Sequence, residues 1–288
     1  MTTIEVKIDD RARLVTAVLA ASDWPDEEQK QLTHAVHPHA KQTRQFVQKY
    51  KYHQAIRGVN EALLNGVTLE ELFSTAVRCA WPTFEPAEPL PHLLKIERWA
   101  RSLADFEHDT DIATTLWVQY QDVWQAAVDA LQRIFADGRV ASFLDRLTQM
   151  TNPQMVIMPN LVYPALTAVL ATTQDTLYLL LPPPKAVGES PPWPYDEDPP
   201  TVVTTVCQHL SIRLMADRLA ALERAQRELF RHAATTLCLE TAFDEFEAQA
   251  YQLRIKKTGN LPTLPVVTDQ LRRYLNGDLA ELVDIFEE

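Results

Sequence analysis

The stretch from Pro182 to Pro200 constrains this chain more than any other, because eight of its nineteen residues are proline. Proline fixes φ and removes an amide donor, so neither a helix interior nor a central strand can run through such a segment. Pro191-Pro-Trp-Pro-Tyr195 must be extended or irregular. The segment reads as a surface lid or connector. A ligand for a proline-reading domain is the weaker alternative, since a motif embedded between folded parts is poorly accessible.

The residues on either side differ in character. Before the prolines, Met155-Val-Ile-Met158, Leu166–Leu170 and Thr176–Leu181 are short apolar runs bounded by Asn, Pro and Asp. They read as buried strands, with Thr172–Asp175 as the turn between the last two. After the prolines, Thr201 can cap a helix whose pattern continues with few breaks to about His232. Further helices are expected over Glu240–Arg254, Thr268–Asn276 and Leu279–Phe286, with a turn at Gly259-Asn-Leu-Pro262.

The first half reads as helical behind one strand. Ile4–Ile8 alternates apolar and charged residues, a half-buried strand pattern. Asp9 or Asp10 can cap a helix over Arg11–Ala21, and Pro25 suits the first turn of another. Ala40–Ala80 reads as three short helices, with Gly66 at a C′ position and Thr68-Leu-Glu-Glu71 as a capping box. Pro82–Pro91, with four prolines, is a loop. Helices near Leu93–Phe106 and Thr110–Ala136 follow, the second carrying Leu116, Tyr120, Trp124, Val128, Leu131 and Phe135 at helical spacing. That aromatic stripe reads as packing, and Gly138 ends the helix. The fold class is α+β: predominantly helical with a small central β-sheet. One body over residues 1–288 is expected, with helices in 1–150, strands in 151–181, the proline loop in 182–200 and helices in 201–288.

Charge and cysteine usage narrow the function classes. The formal net charge of −12 opposes nucleic acid and anionic membrane surfaces. The short basic cluster Arg254, Lys256 and Lys257 reads as a solvated helix end. Three scattered cysteines without a CxxC pair argue against a disulfide framework. The N-terminus has no basic region followed by an apolar run, and no apolar stretch is long enough to span a bilayer. A cytoplasmic location is expected by elimination.

Three stretches resemble a family of bacterial zincin-like metallopeptidases. They are Val6–Leu14 with His39 through Tyr52 and Ala55, Val156-Ile-Met-Pro-Asn160 leading to Tyr178–Pro182, and the helix containing Val206-Cys-Gln-His209. The resemblance implies a zincin-like layout and an HExxH helix, in which two histidines at i and i+4 bind zinc and the glutamate activates a water. The matching stretch here is His209-Leu-Ser-Ile-Arg213. Leu210 cannot take a proton, and the cation of Arg213 would oppose a divalent metal. Glu240, Glu245 or Glu247 could be nominated as a third ligand, but without the pair none is carried over. The resemblance thus implies a catalytically inactive protein, a binding or regulatory module with no cofactor. Its cleft would lie between the central strands and the His209 helix, under the proline segment. His209 and Arg213 would favour an anionic small ligand or a protein partner there.

Other chemistry is sparse. His34-Ala-Val-His37-Pro-His39 is the densest histidine cluster and the one weak metal candidate. His34 and His37 would share a helix face, with Pro38 ending that helix. The competing reading is a polar helix terminus. A metal-dependent hydrolase built on His34, His37 and His39, or a helical scaffold or adaptor, is the alternative function. GxGxxG, GxxxxGK[ST] and GxSxG are all absent.

Overall fold

The computed structural model describes residues 3–91, 94–150, 152–184, 190–279 and 281–286, with the side chains of all of these but residues 94–97. It is an α+β, predominantly helical fold with one four-stranded mixed sheet. Its contacts gather into two compact units interleaved along the chain.

The larger unit comprises residues 5–134 and 154–197. Its helices are α1 (Asp10–Ala21), α2 (Trp24–Gln31), α3 (Pro38–Val47), α4 (Gln54–Leu64), α5 (Leu69–Val77), α6 (Leu94–Thr110) and α7 (Gln121–Phe135), the last running into the other unit. Local chemistry sets their ends. The Asp9 carboxylate accepts from the amides of Arg11 and Ala12, and Thr68 and Glu71 form the expected capping box. Asp111, at φ 49°, interrupts the expected helix over Thr110–Ala136 near its start; a π-helical turn over Ala113–Trp117 follows, and α7 begins at Gln121.

The sheet runs in the order β1 (Ile4–Val6), β2 (Gln154–Pro159), β4 (Thr176–Leu181), β3 (Val169–Thr172). β2 pairs parallel to β4, with Val156 opposite Tyr178, and β3 pairs antiparallel to β4 through the expected turn. β2 is buried from Met155 onward and β4 throughout, which explains their continuous apolar runs. β3 lies against α5: Ser74 Oγ accepts from the Thr172 amide at 3.0 Å, and Arg78 Nε donates to the Thr172 carbonyl at 2.9 Å.

The strand expected over Leu166–Leu170 is displaced to Val169–Thr172. The amides of Ala165 and Leu166 are taken by the buried carboxylate of Glu28 on α2, at 3.0 and 3.2 Å. Asn160 accepts from Val162 and donates to the Pro164 carbonyl. These groups fold residues 160–166 into a compact turn and take the Leu166 amide away from a ladder.

The smaller unit comprises residues 1–4, 135–153 and 198–288. It holds α8 (Arg139–Thr148), α9 (Pro199–Leu214), α10 (Ala216–Leu219), α11 (Arg224–Ala242), α12 (Glu245–Gly259) and α13 (Leu264–Leu275). α11 is central and packs on α8, α9, α12 and α13. Asp198, rather than Thr201, caps α9, accepting from the Thr201 amide at 3.1 Å. The helix expected to reach His232 breaks at Met215 and again before Glu223, whose amide is taken by the Gln226 side chain. The helix expected from Glu240 starts at Glu245, because Asp244 caps it by accepting from the Glu247 amide. Leu282–Phe286 is a single 3₁₀ turn, and part of the terminal helix expected over Leu279–Phe286 lies outside the described residues.

Candidate ligand pocket and the histidine sites

The three clustered histidines take separate structural tasks. α2 ends at Gln31, so residues 33–37 form a loop, and Pro38 opens α3 instead of closing a helix. The reason is proline's missing amide, which costs nothing in a first turn. His37 is therefore the N-cap of α3, its Nδ1 accepting from the His39 amide at 3.2 Å. His39 is buried on α3, and its Nε2 accepts from Trp124 Nε1 at 2.9 Å. His34 donates through Nδ1 to the Leu32 carbonyl and places Nε2 3.7 Å from the Glu28 carboxylate. The lone pairs a metal would use on His37 Nδ1 and His39 Nε2 are thus occupied by amide and indole protons. Among the described residues no group of three or more His, Cys, Asp and Glu is placed to hold a metal ion.

Burial also favours the neutral form of the His37 and His39 rings. It lowers the pKa of His37, and it takes His39 down to about 3, with the nearby Arg13 cation adding to the effect. The Arg13 guanidinium lies 4.4 Å from the Trp117 ring and 4.3 Å from that of Trp124. Trp81 stacks on Trp117 at 5.8 Å. The aromatic stripe expected to be packing material therefore also holds a buried cation.

In the smaller unit, His209 is half-buried on α9, with its pKa lowered by burial and then by nearby Arg231. Leu210 is buried in the core at 1% exposure, while Arg213 is exposed. Across α11 and α12 runs a chain of acid, imidazole and hydroxyl. His232 lies 3.1 Å from Glu228 through Nε2 and 2.6 Å from the Tyr251 hydroxyl through Nδ1. The order resembles that of a hydrolytic triad. However, Tyr251 is 2% exposed and its phenol is pushed up to about 12 by burial. Gln208 of α9 donates to the same hydroxyl at 2.8 Å. The chain fastens α9, α11 and α12 together and presents no nucleophile. Glu240 pairs with Arg272 at 2.7 Å.

A hollow of about 510 Å³ lies in the larger unit, between α7 and the proline-rich segment. Ala126, Ala127 and Ala130 form its helical wall, and Leu161, Pro183 and the buried ring of Tyr195 line it from the other elements. Pro192, Trp193 and Pro194 make the lip. Three observations show how the segment is held. Trp193 donates its amide to the Pro184 carbonyl at 3.0 Å. The Tyr195 hydroxyl donates to the Leu181 carbonyl at 2.5 Å and accepts from the Asn160 amide at 3.1 Å. Arg133 of α7 pairs with Asp196 at 2.6 Å. Residues 190–197 thus form a strap, pinned at Tyr195 to the end of β4 and at Asp196 to α7.

Sequence reading located this strap but not the wall beneath it. The signal was the alanine set at 126, 127 and 130, one face around from Trp124, Val128 and Leu131. Alanines within a helix attract no chemical notice, yet the volume they leave out is what makes the hollow.

No family model matches the chain, and neither does any curated protein or solved structure. Among the described residues no helix is long and apolar enough to cross a membrane.

Proposed function

We propose that this chain is a non-catalytic binding protein that holds a small, largely apolar molecule in the hollow between α7 and the proline strap. The observation that carries the reading is the hollow itself: an alanine wall facing a strap that is hydrogen-bonded and ion-paired in place. Volumes of roughly 300–1,000 Å³ with apolar walls and a few polar groups are typical of small-molecule sites. Small side chains on a helix that elsewhere carries Trp, Val and Leu leave that space.

Peptidase chemistry is not part of the proposal. In the zincin-like pattern of α9, the base position is a leucine packed in the core and the second ligand position is a solvent-facing arginine. The zincin-like pattern accordingly supplies no reaction.

The test is a ligand-observed NMR screen of small apolar fragments against the wild type and Ala127→Leu. The isobutyl side chain intrudes on the hollow at its alanine wall. Fragments that bind the wild type and lose binding in the variant support the reading. Equal binding to both proteins contradicts it.

A further inference from the structure

The polar groups lining the hollow restrict what it can hold. Tyr195 spends its hydroxyl on Leu181 and Asn160, and Asp196 is neutralised by Arg133. Of the other polar groups in the lining, Arg133 is committed to its ion pair with Asp196 but keeps further N–H donors, while among the described residues His37 Nε2 and Asp122 have no side-chain partner. His37 has a fixed tautomer. Its Nδ1 must be unprotonated to accept the His39 amide at the start of α3, so its proton is on Nε2. A doubly protonated ring would lose the cap and place a cation at the positive end of a helix. The imidazole therefore offers the hollow one neutral N–H donor, for which no described residue supplies an acceptor. Asp122 is an exposed carboxylate at the rim, and the chain carries a net charge of −12. Both oppose an anionic head group.

Resting on the binding reading above, we propose that the ligand is a neutral, ring-bearing molecule with a carbonyl-type acceptor, its ring against the alanine wall and its oxygen on His37 Nε2–H. A ring suits the lip, where Trp193 is flanked by two prolines. A charged carboxylate would meet the field of Asp122, and the cation in the lining, Arg133, is already paired with Asp196. A cationic amine would find Asp122, but that group is solvated and would return little for the amine's desolvation.

The test uses four probes of one size: indane, 1-indanone, indane-1-carboxylate and 1-aminoindane. Affinities are measured by ligand-observed NMR with the full chain. The expected order places 1-indanone first, about fivefold tighter than indane, which is the size of one neutral hydrogen bond. His37→Asn and His37→Ser both keep a side-chain oxygen to cap α3 but remove the ring N–H. In each, 1-indanone should fall to the affinity of indane, while indane itself is unchanged. Equal binding of indane and 1-indanone to the wild type overturns the ligand class and leaves the pocket reading intact. Tighter binding of the carboxylate or the amine does the same. If none of the four binds the wild type, or if all bind Ala127→Leu as well, the pocket reading itself fails.

Discussion

α9 and α7 both turn one face toward packed protein, and residue size separates what those faces can do. α9 offers Val202, Val203, Val206, Cys207 and Leu210, all buried at 2% exposure or less. Its face is filled, and His209 is left at its edge. α7 has a filled face too, through Trp124, Val128 and Leu131, but its neighbouring face carries Ala126, Ala127 and Ala130 and leaves a hollow. The helix with the conspicuous histidine is a packing element, while the helix with the plain alanines borders the hollow. On the binding function proposed above, the surface would come from omitted volume, with the polar groups selecting within it.

The largest test of this contrast is a pair of substitutions. Leu210→Glu puts a carboxylate into the α9 core and should destabilise the protein by about 4 kcal/mol or prevent folding. Ala127→Leu enlarges a side chain facing open space and should change stability by less than about 1 kcal/mol. Urea denaturation of both variants checks this. A well-tolerated Leu210→Glu would mean that the α9 face is open after all.

The second effect is acid lability, in which His39 should dominate. A histidine whose folded pKa is lowered to about 3 contributes stability that is complete above its unfolded value near 6.5 and lost as pH falls toward 3. In that window the unfolded chain binds a proton that the folded chain refuses. His37, His209 and His232 are lowered too, also mainly by burial, and act with the same sign. Asp10, raised by burial, acts oppositely near pH 4. Stability at pH 4.5 should be about 3 kcal/mol below that at pH 7.5 from His39 alone. His39→Gln, which can still accept from the Trp124 indole, should remove most of that difference. A variant with the wild-type pH response would refute the assignment.

Much of the fold was legible because its determinants are local. Asp9 and the Thr68–Glu71 capping box act within one helical turn, and β2 and β4 are runs of apolar residues whose burial needs no long-range information. The readings that moved depended on distant partners. Leu166 left the expected strand because Glu28, 138 positions earlier, claims its amide. His34, His37 and His39 were separated because Pro38 starts a helix where it was expected to end one. The strap was visible from its prolines. Its hollow was not, because the hollow depends on which face of α7 the strap meets.

Two smaller effects sharpen the account of how that region is built. Glu28→Gln leaves one acceptor oxygen where the carboxylate supplies two to the amides of Ala165 and Leu166. It should cost about 1–2 kcal/mol, measured by urea denaturation. Arg133→Ala removes an exposed ion pair and should cost no more than about 1 kcal/mol, with a difference from wild type that shrinks at high salt. A larger, salt-independent loss would show that Arg133 holds the strap by packing and not by charge.

The most direct measurement is a set of intermolecular NOEs between 1-indanone and protein labelled with ¹³C at alanine methyl groups. The account predicts NOEs from the indane ring to the methyls of Ala126, Ala127 and Ala130, assigned by single substitutions, and their loss in Ala127→Leu. NOEs confined to alanines outside α7, or persisting at Ala126 and Ala130 with unchanged affinity when Leu fills position 127, would contradict it.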